Sequence, residues 1–228
     1  MNRFVRSFLI AFTIALLGGC ASAPYMPLGS ENPKLDASKP LYLMTVTLKN
    51  EYKQRWQPRV LNVILKKEGP TEKPEVLIFR MDSQGTIASI EDNGSQTFLV
   101  RFTTNGSPST LVGMNAMASA FPIHGFYFVP VHSNVAANSS GVLYLGAIKA
   151  VIRERKDNEF RAGPVIPLID QAFAGASGGT FDIEIRDSYE SDVERFKLVF
   201  PALKDALINK AILAPWNRAT AQSEWDKN

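Results

Sequence analysis

The sequence contains a single cysteine, Cys20, and only two histidines, His124 and His132. A lone cysteine excludes an internal disulfide bond, so the fold must depend on its hydrophobic core. The histidines lack H-x-H or H-x-x-x-H spacing, and the chain has no further cysteine that could serve as a metal ligand beside them. Both observations argue against a zinc site. No glycine loop of Walker or Rossmann type is present either. We therefore expect no metal and no cofactor, and interpret both histidines as structural or surface residues.

A strong charge of one sign is also missing. The formal net charge is +3, from 25 basic and 22 acidic side chains. Basic residues are not clustered with interleaved aromatic residues, so nucleic-acid binding has no support. By contrast, apolar residues make up 45% of the chain and include 14 phenylalanines, which is enough for a sizeable core.

No apolar run is long enough to cross a membrane. Residues 8–17 are apolar except for Thr13, which gives about ten residues, whereas a spanning helix needs roughly 20. Arg3 and Arg6 supply positive charge before this run, and small residues follow it. This order is typical of a secretion signal rather than of a membrane span.

The end of the signal, Leu17-Gly18-Gly19-Cys20, resembles the lipobox of bacterial lipoproteins. Gly18 departs from the Ala, Ser or Thr that is usual at that position. The resemblance implies that Cys20 receives a diacylglycerol thioether, that residues 1–19 are removed, and that the new amine is acylated. Two or three acyl chains hold a protein stably at a membrane. The alternative is a buried cysteine after an unrelated apolar N-terminus.

The residue after Cys20 is Ala21. In Gram-negative lipoproteins an Asp at this position favours retention in the inner membrane, so its absence implies the outer membrane if the source is Gram-negative. Removal of residues 1–19 also removes Arg3 and Arg6, which leaves 23 basic and 22 acidic side chains. We expect a nearly neutral mature protein that meets the membrane through the lipid on Cys20 and has a protein partner in the envelope.

Residues 20–40 contain four prolines and no sustained periodicity. Each proline removes a backbone donor and fixes one dihedral angle, so neither a helix nor a strand propagates. The stretch predicts a flexible tether that follows the lipidated cysteine and reaches up to about 60 Å. In the alternative interpretation, Tyr25, Met26 and Leu28 dock on the body or rest at the membrane interface.

Residues 41–187 contain eight or nine strand patterns. Residues 41–49 and 180–186 alternate between apolar and polar side chains, which is typical of half-buried strands. Residues 142–153 give the strongest strand pattern, with Gly146 as a bulge or bend. The order favours a mainly β fold, an antiparallel β-sandwich of Ig-like or prealbumin-like type. The strand pattern is similar to that of β-sandwich domains in bacterial lipoproteins.

Residues 188–216 change to helical spacing, with an apolar residue every three or four positions. We predict two packed helices, at about 191–200 and 201–213, bent at Pro201. Ser191 and Glu194 have the spacing of a capping box. Residues 217–228 form a polar tail. The stretch 114–124 is ambiguous and fits either a short helix or an irregular crossover.

Residues 175–179 match the G-x-S-x-G pattern of hydrolases around Ser177. In that motif a strand leads through a sharp turn into a helix. Here a strand pattern follows the serine and no histidine comes after it, so a flexible hairpin loop is favoured. The order His, Asp, Ser remains formally available, with the following residues: His124 or His132, Asp157 or Asp170, and Ser177.

Two further groups of residues are candidates. Asp187, Glu190, Asp192 and Glu194 form an acidic cluster, but a calcium loop usually has a glycine at its turn, so helix capping is favoured. Tryptophan is enriched at binding hot spots. We interpret Trp56 as a candidate partner contact and expect Trp216 to pack a helix end onto the body, while the third tryptophan is Trp225.

We therefore expect a non-enzymatic outer-membrane lipoprotein whose β-sandwich body binds an envelope partner or ligand. The alternative is an envelope serine hydrolase that uses Ser177 with His124 or His132. A third hypothesis is that the C-terminal helices dock on a larger complex through an exposed apolar stripe, with these members: Phe196, Phe200 and Leu207.

Overall fold

A computed structural model describes residues 23–30, 33–69, 74–83, 89–90, 94–120, 123–156, 158–165 and 172–227. Within these residues the fold is mainly β, with two sheets and two helices near the C-terminus. The strands are β1 Leu41–Asn50, β2 Arg59–Lys67, β3 Val76–Arg80, β4 Ser89–Ile90, β5 Gln96–Thr103, β6 Ser109–Ala120, β7 Ile123–Val135, β8 Val142–Glu154, β9 Gly179–Arg186 and β10 Ile208–Lys210. The helices are α1 Tyr189–Val199 and α2 Arg218–Asp226, with a 3-10 turn at Pro201–Leu203.

Sheet I has the strand order β3-β2-β6-β7, and its neighbouring strands are antiparallel. Sheet II has the order β4-β5-β1-β8, and both β9 and β10 pair with the other edge of β8. Strand β8 runs parallel to β1 and to β10, so the prediction of a wholly antiparallel arrangement is wrong for sheet II. The chain builds sheet I between β1 and β8, and such a long crossover is what parallel pairing requires.

Alternating side chains from the two sheets form one hydrophobic core between them. In β1, Tyr42, Met44, Val46 and Leu48 point into this core, as the sequence pattern predicts. In β9, Phe181 and Ile183 point into the core, and Phe181 is fully buried. Because successive side chains point to opposite faces of a sheet, the intervening residues of β1 need a different cover.

Helix α1 and the 3-10 turn provide that cover on the outer face of sheet II. Leu41 and Leu43 of β1 pack there with Phe196, Phe200 and Leu203. These five residues are at most 1% exposed. Sheet II is therefore buried on both faces where α1 covers it, and α1 with the 3-10 turn forms a third layer of the same body.

Strand β8 contains the bulge that Gly146 predicts. The pairing of β1 with β8 shifts register between Leu43 and Thr45, which face Tyr144 and Ala147. Gly146 has a φ of +112°, and a Cβ at this position would lie 3.0 Å from the carbonyl oxygen of Arg186. Only glycine accepts that conformation readily, so this residue fixes where β8 changes its pairing.

Strands β6 and β7 form a long hairpin where residues 114–124 were ambiguous. Met114, Ala116 and Ala118 are buried at alternate positions, while Ser119 is exposed. The stretch is therefore strand up to Ala120 and again from Ile123, and both alternatives, a short helix and an irregular crossover, are wrong. The small size of the alanines hides the strand period in the sequence.

The prediction of a C-terminal helical pair is only partly correct. Helix α1 forms, but its N-cap is Ser188, and Ser191 donates to the carbonyl oxygen of Ser188 rather than forming a capping box. The predicted helix 201–213 is wrong beyond the 3-10 turn, because Ile208–Lys210 pairs with the edge of β8. Tertiary pairing with an open strand edge overrides the helical spacing here.

Residues 217–228, which are predicted to be a polar tail, contain a helix. The side chain of Asn217 accepts hydrogen bonds from the backbone N–H groups of Ala219 (2.9 Å) and Thr220 (3.3 Å), which caps α2. Ala221 is buried, and the side chain of Gln222 accepts a hydrogen bond of 2.7 Å from the backbone N–H of Phe160. Helix α2 is thus fixed to the body by its cap and by this contact.

A four-residue ion network connects the start of α2 to β8 and β9. Arg153 binds Glu159 through both guanidinium Nη atoms, at 2.8 and 2.6 Å, and binds Asp182 through Nε at 2.9 Å. Arg218 contacts the same two carboxylates. The hydrogen bonds from Arg153 hold the pKa of Glu159 at about 2, below its ordinary value of 4.5.

We expect this network to make stability depend on acidity below about pH 4.5. The unfolded chain binds a proton at Glu159 at a higher pH than the folded chain does, so the contribution is complete above 4.5 and is lost as the pH falls towards 2. Urea denaturation should show that wild type exceeds Glu159→Gln by about 1–2 kcal/mol at neutral pH, and by much less near pH 2.5. Glu154→Gln is the control, because its carboxylate lies outside the network. A constant difference across this range would contradict the expectation.

Candidate functional site

Several sequence candidates lie outside the described residues. Cys20 precedes residue 23, where the description begins, and both Asp157 and Asp170 fall in its gaps. The acylation site therefore stays a prediction from the sequence. The other candidates can be placed in the fold.

Ser177 lies in the turn before β9, and this loop is packed rather than flexible. Ala174 and Ala176 are fully buried. The carbonyl oxygen of Ala174 accepts hydrogen bonds from Asn50 Nδ2 (3.0 Å) and Tyr127 Oη (2.7 Å). The prediction of a flexible hairpin loop is therefore wrong, because buried alanines and shared hydrogen bonds hold the turn.

The two histidines lie on strand β7, outside the turn that contains Ser177. His124 Nδ1 lies 2.9 Å from the hydroxyl oxygen of Ser119 on the neighbouring strand. His132 adopts a φ of +49°, and burial lowers its pKa while Glu224 opposes that shift. Within the described part of the chain, no hydrogen bond joins Ser177 to either histidine. The hydrolase alternative thus gains no support from the geometry of these residues.

The acidic cluster is divided between the surface and the interior. Asp187 forms an exposed ion pair with Lys210 at 2.9 Å. Asp192 points inwards and accepts hydrogen bonds from Thr45 Oγ1 (2.6 Å) and Tyr144 Oη (2.5 Å). Burial, together with Asp192, raises the pKa of Tyr144. Asp192 therefore fastens the first turn of α1 to sheet II, a role that the sequence pattern does not reveal.

The positions of the tryptophans and of the predicted apolar stripe agree with the predictions only in part. Trp56 belongs to the main core, so the prediction of a partner contact is wrong. Trp216 donates to the carbonyl oxygen of Pro130 at 2.7 Å, so it packs onto the body as predicted, but from the segment between β10 and α2 rather than from a helix end. Trp225 remains partly exposed on α2. In the stripe, Phe196 and Phe200 are buried and only Leu207 is exposed, so that surface does not exist as predicted.

A polar cavity of about 290 Å³ lies between the first turn of α1 and the outer face of sheet II. Hydroxyl groups of Thr47 and Thr97, which lie 2.8 Å apart, contribute to its floor. Lys149, Arg186 and Arg195 supply positive charge around it. Such a set of donors can accommodate a small polar ligand, although the same groups also serve to fix the helix.

The most tightly organised feature is a segment that the sequence assigns to the tether. Tyr25 pairs with Arg80 as an isolated bridge at the edge of β3. The backbone N–H of Met26 donates to the carbonyl oxygen of Arg80 at 2.8 Å, and the N–H of Arg80 donates to that of Pro24 at 2.9 Å. Met26 and Leu28 are buried at 1% and 3% exposure. We call residues 24–28 the docked segment. The prediction of a free tether is wrong for this part of residues 20–40, and the alternative that Met26 and Leu28 dock on the body is confirmed.

Arg101 holds the docked segment against sheet II. This fully buried arginine donates from Nε to the carbonyl oxygen of Pro27 at 2.7 Å. It also donates from Nη1 to the carbonyl oxygen of Leu99 and from Nη2 to Asp82, both at 2.7 Å. Its guanidinium carbon lies 4.1 Å from the centre of the Phe200 ring. One side chain thus joins the docked segment, β5, the loop after β3 and the end of α1.

These contacts compensate for the burial of the positive charge of Arg101, which would be unfavourable without them. Burial lowers the pKa of Arg101, and the attraction of Asp82 opposes the shift. The guanidinium has donors in a planar fork, so three acceptors can be bound in one plane while an aromatic ring covers a face. Gly29 leaves the space for Asp82, because a Cβ there would lie 1.7 Å from its carboxylate.

Comparison of the chain with protein-family models, curated proteins and solved structures finds no match. Among the described residues, no helix is long and apolar enough to cross a membrane. The same residues contain no group of three or more His, Cys, Asp and Glu side chains suited to a metal ion. Functional inference therefore depends on the N-terminal sequence and on the geometry of the docked segment.

We expect Arg101→Met to lower the free energy of unfolding by about 3–5 kcal/mol, because Asp82 then stays buried without its arginine. Lys39→Met is a matched control, since it removes an exposed ion pair with Asp36 and should cost no more than about 1 kcal/mol. Urea denaturation followed by circular dichroism measures both. Equal losses in the two variants would show that Arg101 does not hold the structure together.

Proposed function

We propose that this protein is a bacterial envelope lipoprotein that is acylated at Cys20, held at the outer membrane and non-enzymatic. In this proposal residues 1–19 are the export signal, and the body binds a partner protein or ligand in the envelope. We also propose that the two sheets form a β-sandwich of Ig-like or prealbumin-like type. The core that both sheets share supports this architecture.

The observation that carries the proposal is the stretch Leu17-Gly18-Gly19-Cys20. It places the only thiol of the chain directly after a short apolar run and two small residues. A thiol is needed because the lipid is attached through a thioether, and small residues let a signal peptidase reach the backbone. No other cysteine competes for the modification.

The anchor accounts for membrane association without a spanning helix. A single acyl chain gives only marginal binding, whereas two or three chains hold a protein stably. Ala21 after the cysteine supports the outer membrane as the destination in a Gram-negative source. The body, with its buried core and near-neutral mature charge, then lies in the aqueous phase beside the bilayer.

We expect Cys20→Ser to abolish acylation and to release the protein from the membrane, because a hydroxyl group does not form the thioether. Phase separation in Triton X-114 and mass spectrometry of the purified protein measure the two effects. Ala23→Ser is the control and should remain acylated. An unmodified residue 20 in the wild-type protein, with residues 1–19 still attached, would refute the proposal.

The binding role has its own test. The wild-type protein, recovered from detergent-solubilised envelope, should retain a partner or ligand that a Cys20→Ala variant loses through mislocalisation. Cross-linking before solubilisation, followed by mass spectrometry, identifies what is retained. Recovery of the acylated protein alone, after cross-linking in intact cells, would count against a binding role.

A further inference from the structure

The docked segment limits how far the body can stand from the membrane. This inference rests on the proposed acylation of Cys20. Only Ala21, Ser22 and Ala23 separate Cys20 from Pro24, where the docked segment begins. A chain of this length spans at most about 14 Å, since an extended residue covers no more than about 3.6 Å. The part of the body next to Pro24 is therefore held at the bilayer surface.

Arg59 and Arg80, which form no salt bridge within the described residues, lie at that part of the body. Arg80 places its guanidinium carbon 4.2 Å from the centre of the Tyr25 ring. Its Nε is buried and has no hydrogen-bond partner within the described residues. Arg59 is exposed on the adjacent strand β2, and the salt bridges of the described residues do not include either arginine. The exposed side chain of Arg59 can thus bind an anion from outside the protein, and Arg80 adds positive charge beside the ring of Tyr25.

A cleft of about 650 Å³ opens beside these groups, between the docked segment and β2. Tyr25, Arg59 and Ser83 line it together with Asp82. The carboxylate of Asp82 already binds Arg101 at 2.7 Å, so its negative charge is compensated inside the protein. The free charge at the cleft is therefore positive.

Arginine and tyrosine together suit the headgroup region of a bilayer. The guanidinium fork matches the oxygen atoms of a phosphate group, and a partly exposed tyrosine has an apolar ring with a polar end. Tyrosine is enriched at membrane interfaces for this reason. Tyr25 is 39% exposed despite its contact with Arg80, so its ring is accessible.

We propose that the surface formed by Tyr25, Arg59 and Arg80 lies against anionic phospholipid headgroups of the leaflet that holds the acyl chains of Cys20. The body is then oriented rather than free to rotate. The edge of sheet I at β3 is turned towards the membrane. Helix α2, which packs beside β7 at the opposite edge of that sheet, is turned away from it.

Single introduced cysteines can measure this orientation, because the thiol of Cys20 is blocked by its lipid and the chain has no other cysteine. Ser83→Cys places a fluorophore at the cleft, and Ser223→Cys places one on the exposed side of α2. The acylated protein is reconstituted into vesicles of phosphatidylcholine and phosphatidylglycerol with a headgroup-labelled acceptor lipid. We expect higher energy-transfer efficiency from position 83, which follows β3, than from position 223. Strands β3 and β7 lie three strand spacings, about 14 Å, apart across sheet I, and α2 lies beside β7.

Charge variants then test the role of the arginines. Arg59→Gln with Arg80→Gln should remove most of the difference between the two labels, and so should vesicles of phosphatidylcholine alone. Arg195→Gln with Lys204→Gln makes the same change of charge near α1 and should leave the difference intact. Raised salt should reduce the difference between the two labelled proteins that keep Arg59 and Arg80, where no charge substitution can affect folding.

Equal transfer from the two labels, or a difference that the loss of Arg59 and Arg80 leaves unchanged, would overturn this proposal. Vesicle flotation and mass spectrometry of Cys20 separate this result from failure of the proposed function. A protein that is not acylated and does not float refutes the lipoprotein assignment. A protein that floats but shows equal transfer refutes only the orientation.

Discussion

The burial of one charge, on Arg101, sets the constraint on which the architecture depends. A guanidinium in the interior is tolerated only when acceptors surround it and a counter-charge is close. Here the acceptors come from Pro27, Leu99 and Asp82, which are far apart in the sequence. The side chain can be satisfied only when the N-terminal segment, sheet II and the loop after β3 have come together.

Sheet II is buried on both faces where α1 covers it. Its inner face packs against sheet I, and its outer face carries α1 and the 3-10 turn, with Phe200 over the arginine. The docked segment fills the side of this layered body, where Met26 joins the main core and Leu28 joins the outer one. The residues that follow the proposed lipid site are thus part of the fold.

The sequence predicts features that are set by local alternation, such as the inward face of β1 and the bulge at Gly146. It does not predict features that depend on distant partners. Four prolines make residues 20–40 resemble a linker. Met26 and Leu28 are nevertheless buried, because they pack in cores that form only when the sheets assemble. Residues 201–213 have helical spacing, but the free edge of β8 draws Ile208–Lys210 into sheet II. For the candidate site, the lone thiol can be recognised from sequence, whereas Arg101 looks like an ordinary outward residue of β5.

Hydrogen exchange at the backbone amide of Met26 tests most directly whether the docked segment is part of the fold. This N–H donates to the carbonyl oxygen of Arg80 at the edge of sheet I. We expect the amide to exchange slowly, with protection similar to that of the strands in the core. Exchange at the rate of an unstructured peptide would show that the segment is a free tether, and the short distance between lipid and body would no longer follow.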